Sequence, residues 1–297
     1  MNKIAVILIN YCNYELTCEC IESIKESTYD NYMIVVVDNA SPDNSGNKLE
    51  NYKGIKFVQM KQNVGFAAGN NIGIKVALEH NCEYVLLLNN DTIIDSRMIE
   101  SLLKNANENT VVVPKMYYFD LNGKKDILWY AGGEIKYKSA DGLHWEGGKK
   151  DSDQFSIQKQ VSFATGCCML IHKNILKKVG LFREEYFMYC EDTDYSIRLN
   201  KQNIDIIYVP DAKLWHKVSS SSGGEMSKFI VYYVVRNKIY CAIVNKLGIK
   251  TYIYIIAETF YRTLKAKSGK YYSNYLIAPK ALVHGLQKKM GKNDDKL

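Results

Sequence analysis

The sequence predicts an α/β fold built on a mostly parallel central sheet and continued by a helical C-terminal extension. Strand-like and helix-like segments alternate through residues 1–105, the pattern of a doubly wound sheet with right-handed crossovers. The strand segments are apolar throughout, as in strands covered on both faces. The segments between them carry apolar residues at helical spacing.

Ile4 to Ile9 is the first strand, and the helix after it, Glu15 to Glu26, sets Leu16, Cys20, Ile21 and Ile24 on one face. Met33 to Val37 follows and stops at Asp38-Asn39-Ala40-Ser41-Pro42-Asp43, a polar run that predicts a turn. Ile55 to Met60 is a shorter strand, Asn63 to Gly73 leads into a helix reaching Glu79, and Tyr84 to Leu88 is the fourth strand, ending at Asn89-Asn90-Asp91. From Val111 to Gly166, short β-type runs are broken by Gly132-Gly133, Gly142 and Gly147-Gly148, as in hairpins laid over a sheet edge. Gly166 to Ile171 is a strand, Asn174 to Val179 a short helix, Glu191 to Lys201 a helix, and Ile204 to Val209 a strand before a Pro210-Asp211 turn. A Ser/Gly connector, Ser219 to Gly224, precedes two helices, Glu225 to Lys246 and Lys250 to Lys267, and a basic tail. The expected division is an α/β domain over residues 1–220, with halves 1–105 and 106–220, and a basic helical extension over residues 221–297.

The longest apolar runs, Ile4 to Ile9 and Ile239 to Val244, fall far short of the ~20 residues of a membrane-spanning helix. The N-terminus reads as a first strand rather than a signal peptide, so the expected location is cytoplasmic. Eight cysteines, at 12, 18, 20, 82, 167, 168, 190 and 241, show no zinc spacing and read as reduced thiols. The net charge of +7 is uneven: residues 213–297 carry 16 Lys or Arg against 4 Asp or Glu, and residues 1–212 carry 23 against 28. Such an excess suits anionic lipid headgroups or a polyphosphate substrate; nucleic-acid binding would rest on the tail alone and is not expected.

Asp38 and Asp91 each close a strand of the parallel sheet, so both can lie along the rim where open α/β sheets bind ligands. There Asp38 could meet a pyrimidine N–H, and Asp91 could hold Mg2+ or Mn2+ against a diphosphate. A helix cap for Asp91 and an Asx-turn for Asp38 are the structural alternatives. Gly65, Gly69 and Gly73 lack dinucleotide spacing; they suit close approach of backbone to a ligand, with a helix N-terminus offering N–H groups to an anion. In Glu191-Asp192-Thr193-Asp194 at a helix start, Asp194 pairs by spacing with Arg198, which leaves Asp192 as the freer acid and a candidate general base. His216 is either structural or a ligand for a Mn2+-class metal.

Val6-Ile7-Leu8-Ile9-Asn10-Tyr11, Val35-Val36-Val37-Asp38-Asn39-Ala40-Ser41, Asn63-Val64-Gly65-Phe66, Leu88-Asn89-Asn90-Asp91, Gly166-Cys167-Cys168-Met169-Leu170-Ile171 and Glu191-Asp192 together resemble the successive motifs of family 2 glycosyltransferases, most closely the rhamnosyltransferase-like enzymes of bacterial surface polysaccharide synthesis. The resemblance spans residues 3–245. It implies a GT-A fold, a nucleotide-diphosphate sugar donor, Mn2+ or Mg2+, and inversion at the anomeric carbon. It places Asn10, Asp38, Asn63, Gly65 and Asn90 at the donor nucleotide, Asp91 and His216 at the metal, Asp192 as catalytic base, and Gly166, Glu191 and Arg236 near the acceptor or diphosphate. Asn89 stands where many members have a first Asp, so the metal site has one carboxylate fewer.

The resulting expectation is an inverting enzyme, peripheral on the inner face of the cell membrane, that adds one sugar to a lipid-linked or growing surface glycan. The donor would be dTDP-L-rhamnose, with a UDP-hexose or UDP-galactofuranose as alternatives; a non-catalytic nucleotide- or glycan-binding module is the reading from another class. Processive synthases of the family carry a Q-x-x-R-W motif and membrane helices, and neither is present here. The C-terminal helices, with tyrosines at 252, 254, 261, 271, 272 and 275 among Lys and Arg, suit a membrane surface. Homodimerisation or packing against the first domain is their other use.

Overall fold

Strands β3 (Ile55–Gln59), β2 (Tyr32–Asp38), β1 (Ile4–Asn10) and β4 (Tyr84–Leu88) lie side by side, all parallel, in a computed structural model that describes residues 2–218, 227–270 and 272–293. The expected connector Ser219 to Gly224, and Tyr271, lie outside the described residues. Helices α1 (Tyr14–Lys25), α2 (Ser45–Glu50) and α3 (Gly65–Glu79) are the crossovers. β1, β4 and most of β2 are buried, which is why their sequences are unbroken runs of Val, Ile and Leu. Strand order reverses between β1 and β4, and such a reversal opens a crevice at the carboxyl ends of the two strands.

Beyond β4 the sheet continues through β11 (Cys168–His172), β6 (Thr110–Tyr118), β12 (Asp205–His216) and β10 (Lys159–Val161). β11 is antiparallel to β4 and β6, whereas β6 and β12 run parallel to each other. Two expectations are corrected here. Residues 110–118 are not a short edge run but a buried strand in the middle of the sheet, and Lys115 at its centre is neutralised by Asp151 at 3.0 Å. Pro210-Asp211 does not turn the chain away: β12 runs on to His216 through a bulge between Val209 and Lys213, where a proline removes no ladder hydrogen bond. The bulge lets the strand's end pair antiparallel with β5 (Thr92–Ile94), a short strand the sequence did not signal.

The glycine-rich stretch forms the expected short pieces, β7 (Leu128–Tyr130) and the hairpin β8 (Gly133–Lys136) with β9 (Asp141–His144). Helices α4 (Met98–Leu103), α5 (Lys173–Val179) and α6 (Glu191–Lys201) complete the α/β part. The extension holds α7 (Lys228–Val244), α8 (Ile249–Lys267) and α9 (Ala278–Leu286), the last within what read as a basic tail. Gly285 of α9 meets α7 so closely that a Cβ would lie 2.4 Å from the Arg236 carbonyl. These helices share a second apolar cluster with Phe187, from the loop before α6. Half-buried Lys238 of α7 pairs with Asp141 of β9 at 2.6 Å. Among the described residues no helix is long and apolar enough to cross a membrane, and all eight cysteines are free thiols.

Candidate functional site

A cavity of about 560 Å³ opens at the carboxyl ends of β1 and β4, lined on that side by Ile9, Tyr11, Asn39, Asn63, Phe66, Asn89, Asn90 and Asp91. Its far wall comes from later in the chain: Phe187 and Met188 before α6, Phe229 and Tyr233 of α7, and Lys292 and Asn293 after α9. Of the residues expected at the site, Asn63, Asn90 and Asp91 line the cavity directly.

Asp91 is nearly buried at the mouth of β5, and His216 Nε2 lies 3.0 Å from its Oδ1. The β5–β12 ladder makes this meeting: Thr92 stands opposite His216, and the Lys217 N–H donates to the Asp91 carbonyl at 2.8 Å. The Trp129 ring closes edge-on against the imidazole. Burial alone would lower the His216 pKa, but Cys167 beside it and the Asp91 carboxylate outweigh burial and raise it to about 10. A carboxylate oxygen on the cavity wall with an imidazole nitrogen this close behind it fits a Mn2+-class cation, which would have to displace the imidazole proton. No third Asp, Glu, His or Cys joins them among the described residues, so any further ligands would come from a bound phosphate or water.

Asn10 and Asp38 are wholly buried and do not line the cavity, which corrects their placement against a donor base. The physical reason is saturation. The Asp38 carboxylate accepts from Asn10 Nδ2 (2.6 Å), Ser41 N–H (2.9 Å), Ser41 Oγ (2.6 Å) and Gln59 Nε2 (2.8 Å). Asn10 Oδ1 in turn accepts from Thr17 Oγ1 at 2.8 Å, and Thr17 accepts from Asn90 Nδ2 at 2.8 Å. Asp38, Asn10, Thr17 and Asn90 therefore form a polar spine that ties the exits of β2, β1 and β4 together.

The start of α3 also differs from expectation. Its first N–H groups are taken: Val64 donates to Asn39 Oδ1, Gly65 to Asn63 Oδ1 and Phe66 to the Phe187 carbonyl. They are not offered to an anion. Nor do the glycines make room for a ligand: a Cβ on Gly65, where φ is +87°, would sit 2.3 Å from the Phe187 carbonyl, and one on Gly73 would sit 2.4 Å from Ile7 of β1.

Phe187, Tyr189 and Cys190 all have φ between 65° and 68°. A left-handed conformation costs such residues ~1–2 kcal/mol each. Arg236 and Asn237 hold them there. Arg236 Nη2 donates to the Tyr186 carbonyl at 3.0 Å and Nη1 to the Gly291 carbonyl at 2.7 Å, while Asn237 Nδ2 reaches the carbonyls of Tyr186, Met188 and Tyr189. The neutral Asn237 bonds contribute ~0.5–1.5 kcal/mol each and the charged Arg236 bond to Tyr186 ~1.5–3 kcal/mol, a sum comparable to the strain. Arg236 is buried behind the cavity wall, stacked on Tyr233, with its Nη donors on backbone carbonyls and Nε on Asn237 Oδ1; contact with diphosphate or acceptor is corrected to support of this loop.

The loop delivers Glu191 and Asp192 to the N-terminus of α6. Asp192 Oδ2 accepts from the Gly166 N–H at 3.0 Å and Oδ1 from the Thr193 N–H at 2.7 Å. Gly166 packs against Phe66, so Asp192 stands one residue back from the cavity lining. Burial raises the Asp192 pKa, against those N–H groups. Burial and then the Asp192 charge push Glu191 up to about 8, and Glu191 Oε2 has no hydrogen-bond partner. Asp194 is wholly structural, bonded to Arg198 as its spacing predicted and also to Arg183, Tyr186 and Asn245.

Sequence reasoning missed Thr17, the roles of Asn39 and Asn237, and above all Lys292. Asn39 sat inside a quoted motif beside Asp38, and Asn237 is the neighbour of Arg236, the charged residues that drew notice; nothing local marked Lys292, which reaches the cavity only because the Gly291 N–H bonds the Glu185 carbonyl and the Asn293 N–H bonds Tyr233 Oη.

The glycosyl transferase family 2 model matches residues 5–180. Along nearly its whole length the chain is similar to the low-salt glycan biosynthesis hexosyltransferase Agl10 of Haloferax volcanii, with 23% identity over 95% of this chain and 98% of that one. It is 24% identical to the dTDP-rhamnosyl transferase RfbF of Shigella flexneri, over 67% of this chain and 64% of the relative. The solved mannosyltransferase PcManGT of Pyrobaculum calidifontis, in complex with GDP-Man and Mn2+, superimposes with a TM-score of 0.57 over 96% of this chain and 73% of its own, at 16% identity. The chain belongs to glycosyltransferase family 2 and has the GT-A fold.

Proposed function

We propose that the chain is a metal-dependent, inverting glycosyltransferase that moves one hexosyl unit, with L-rhamnose from dTDP-L-rhamnose as the first candidate, to a lipid-linked or growing surface glycan. Residues 1–220 are its catalytic part and residues 221–297 an extension that also walls the donor cavity and faces the membrane. The observation that carries the reading is Asp91 on the wall of a nucleotide-sized cavity at the β1/β4 reversal, with buried His216 directly behind it at 3.0 Å. The similarity to a dTDP-rhamnosyl transferase supports the choice of sugar.

In this reading Tyr11, Asn39 and Asn63 meet the nucleoside, with Asp38 and Asn10 acting through the spine that fixes their loops. Asp91 and His216 hold Mn2+ or Mg2+, which when bound supplies positive charge to the departing diphosphate. Lys292 adds a second cation at the same cavity. Asp192 takes the proton of the acceptor hydroxyl as its oxygen bonds to the anomeric carbon and the bond from that carbon to the diphosphate breaks. One displacement inverts the configuration. Burial raises both carboxyls, and Glu191, with the Asp192 charge beside it, the further, to about 8.

The test is a panel of nucleotide sugars with Mn2+ or Mg2+ and lipid-linked acceptors, scored by nucleoside diphosphate release. Metal-dependent release from one donor is expected. Nucleotide binding without turnover of any donor would reduce the chain to a binding module.

A further inference from the structure

Helix α8 is built inside out. The side chains it turns toward the protein are Thr251, Ile255, Thr259, Thr263 and Ala266, mostly threonine or small. Thr259 and Thr263 donate their hydroxyls to the carbonyls of Ile255 and Thr259, one turn back in the same helix. The large apolar side chains face away: Ile249, Ile253, Phe260 and Leu264 are 53% to 70% exposed. At ~100° per residue these four and Ala257 fall within about 80° of one another, a stripe along the whole helix. A water-facing helix has the opposite pattern, and an exposed apolar stripe of this kind marks an interaction site.

The charge around the stripe selects the partner. By the same helical spacing Lys250, Tyr254, Tyr261 and Lys265 follow one border, and Lys267 closes the C-terminal end. Residues 249–293 carry nine Lys or Arg and one acid, Glu258. That acid is already paired with Arg262 at 2.6 Å. Two α8 stripes pressed together would set lysine borders against lysine borders with no acids to answer them. An anionic bilayer answers both features at once: acyl chains take the apolar stripe, headgroups take the lysines, and tyrosines occupy the level between.

We propose that α8 is a membrane-docking helix for anionic lipid, lying in the plane of the interface. This deepens the function proposed above, in which the acceptor is lipid-linked, and it identifies the face through which the enzyme would meet that acceptor.

The experiment is co-sedimentation of the full-length protein with phosphatidylglycerol/phosphatidylcholine vesicles and with phosphatidylcholine alone, beside light scattering in the absence of lipid. The protein should pellet with anionic vesicles, weakly with neutral ones, and less as salt rises. Ile253→Glu with Leu264→Glu should weaken partitioning about tenfold or more, and Lys250→Gln, Lys265→Gln and Lys267→Gln together should erase the preference for anionic lipid. None of the side chains changed lines the cavity, so donor turnover without vesicles should be unchanged. Failure of the wild type to bind anionic vesicles, or equal binding by the Glu variant, overturns the proposal. So does a dimer that the Glu variant splits while lipid binding is absent. Loss of donor turnover with vesicle binding intact would instead sink the transferase reading alone.

Discussion

Asp91 and His216 face each other 3.0 Å apart, just past the rung that joins Thr92 to His216 in the β5–β12 ladder. Two protein ligands on adjacent strands make a site that is half built. Mn2+ should bind weakly to the free protein and tightly once a nucleoside diphosphate adds its oxygens, as read by titration calorimetry. His216→Ala should weaken the ternary complex by about tenfold or more. Tight binding of Mn2+ without nucleotide would falsify this account.

Asp192 can act as a base only when ionised. Asp192→Asn keeps an oxygen for the Gly166 N–H and should leave nucleotide affinity intact while lowering kcat by ~10²–10⁴. Because burial raises the Asp192 pKa, the wild-type kcat/KM should fall with decreasing pH along a limb lying above the ordinary carboxylate range. A limb at or below that range points to another base.

Glu191 makes stability depend on pH in an unusual direction for a carboxylate. Its folded pKa, about 8, is above the ordinary glutamate value of 4.5, so the native state holds the proton more tightly than the unfolded chain. The contribution is complete below pH 4.5 and is lost as pH rises toward 8. Denaturant midpoints measured from pH 5 to 8 should decline, and Glu191→Gln should flatten the decline. An unchanged slope in the variant assigns the effect elsewhere.

Lys292 reaches the donor cavity from beyond α9, where its ammonium can neutralise a diphosphate. Lys292→Ala should raise the donor KM about tenfold with a smaller change in kcat, and Lys292→Arg should restore most of the loss. A matching fall in kcat at unchanged KM would place Lys292 in the chemical step instead.

Gly65 has no room for a side chain. Gly65→Ala adds a Cβ against the Phe187 carbonyl at φ +87°, so thermal unfolding should show a loss of roughly 2 kcal/mol or more. The variant should also lose donor binding, since Phe187 lines the cavity. Wild-type stability in that variant would mean the loop moves aside easily.

The parallel half of the sheet was legible because burial on both faces leaves an unmistakable apolar run, as in Tyr84 to Leu88. Asp91 was legible for the same reason, as the acid at the end of such a run. What escaped was whatever depends on contacts distant in sequence. The β5–β12 pairing rests on a bulge after Val209 that reads locally as a turn. Asp38 looked like a ligand because two of its donors, Asn10 of β1 and Gln59 of β3, come from other strands. Arg236 looked like a phosphate contact because a buried guanidinium bonded to carbonyls has the same sequence signature as an exposed one.

The far wall of the cavity, residues 187–293, has a consequence for how the enzyme comes into being. The segment matched by the family model, residues 5–180, carries Asp91 and the spine but none of that wall. The parallel strands β1 to β4 are all made early, yet the far wall of the cavity is complete only when Asn293 has been made and bonded to Tyr233. The cavity therefore depends on both ends of the chain, and a molecule made only through residue 180 carries one of its walls without the other.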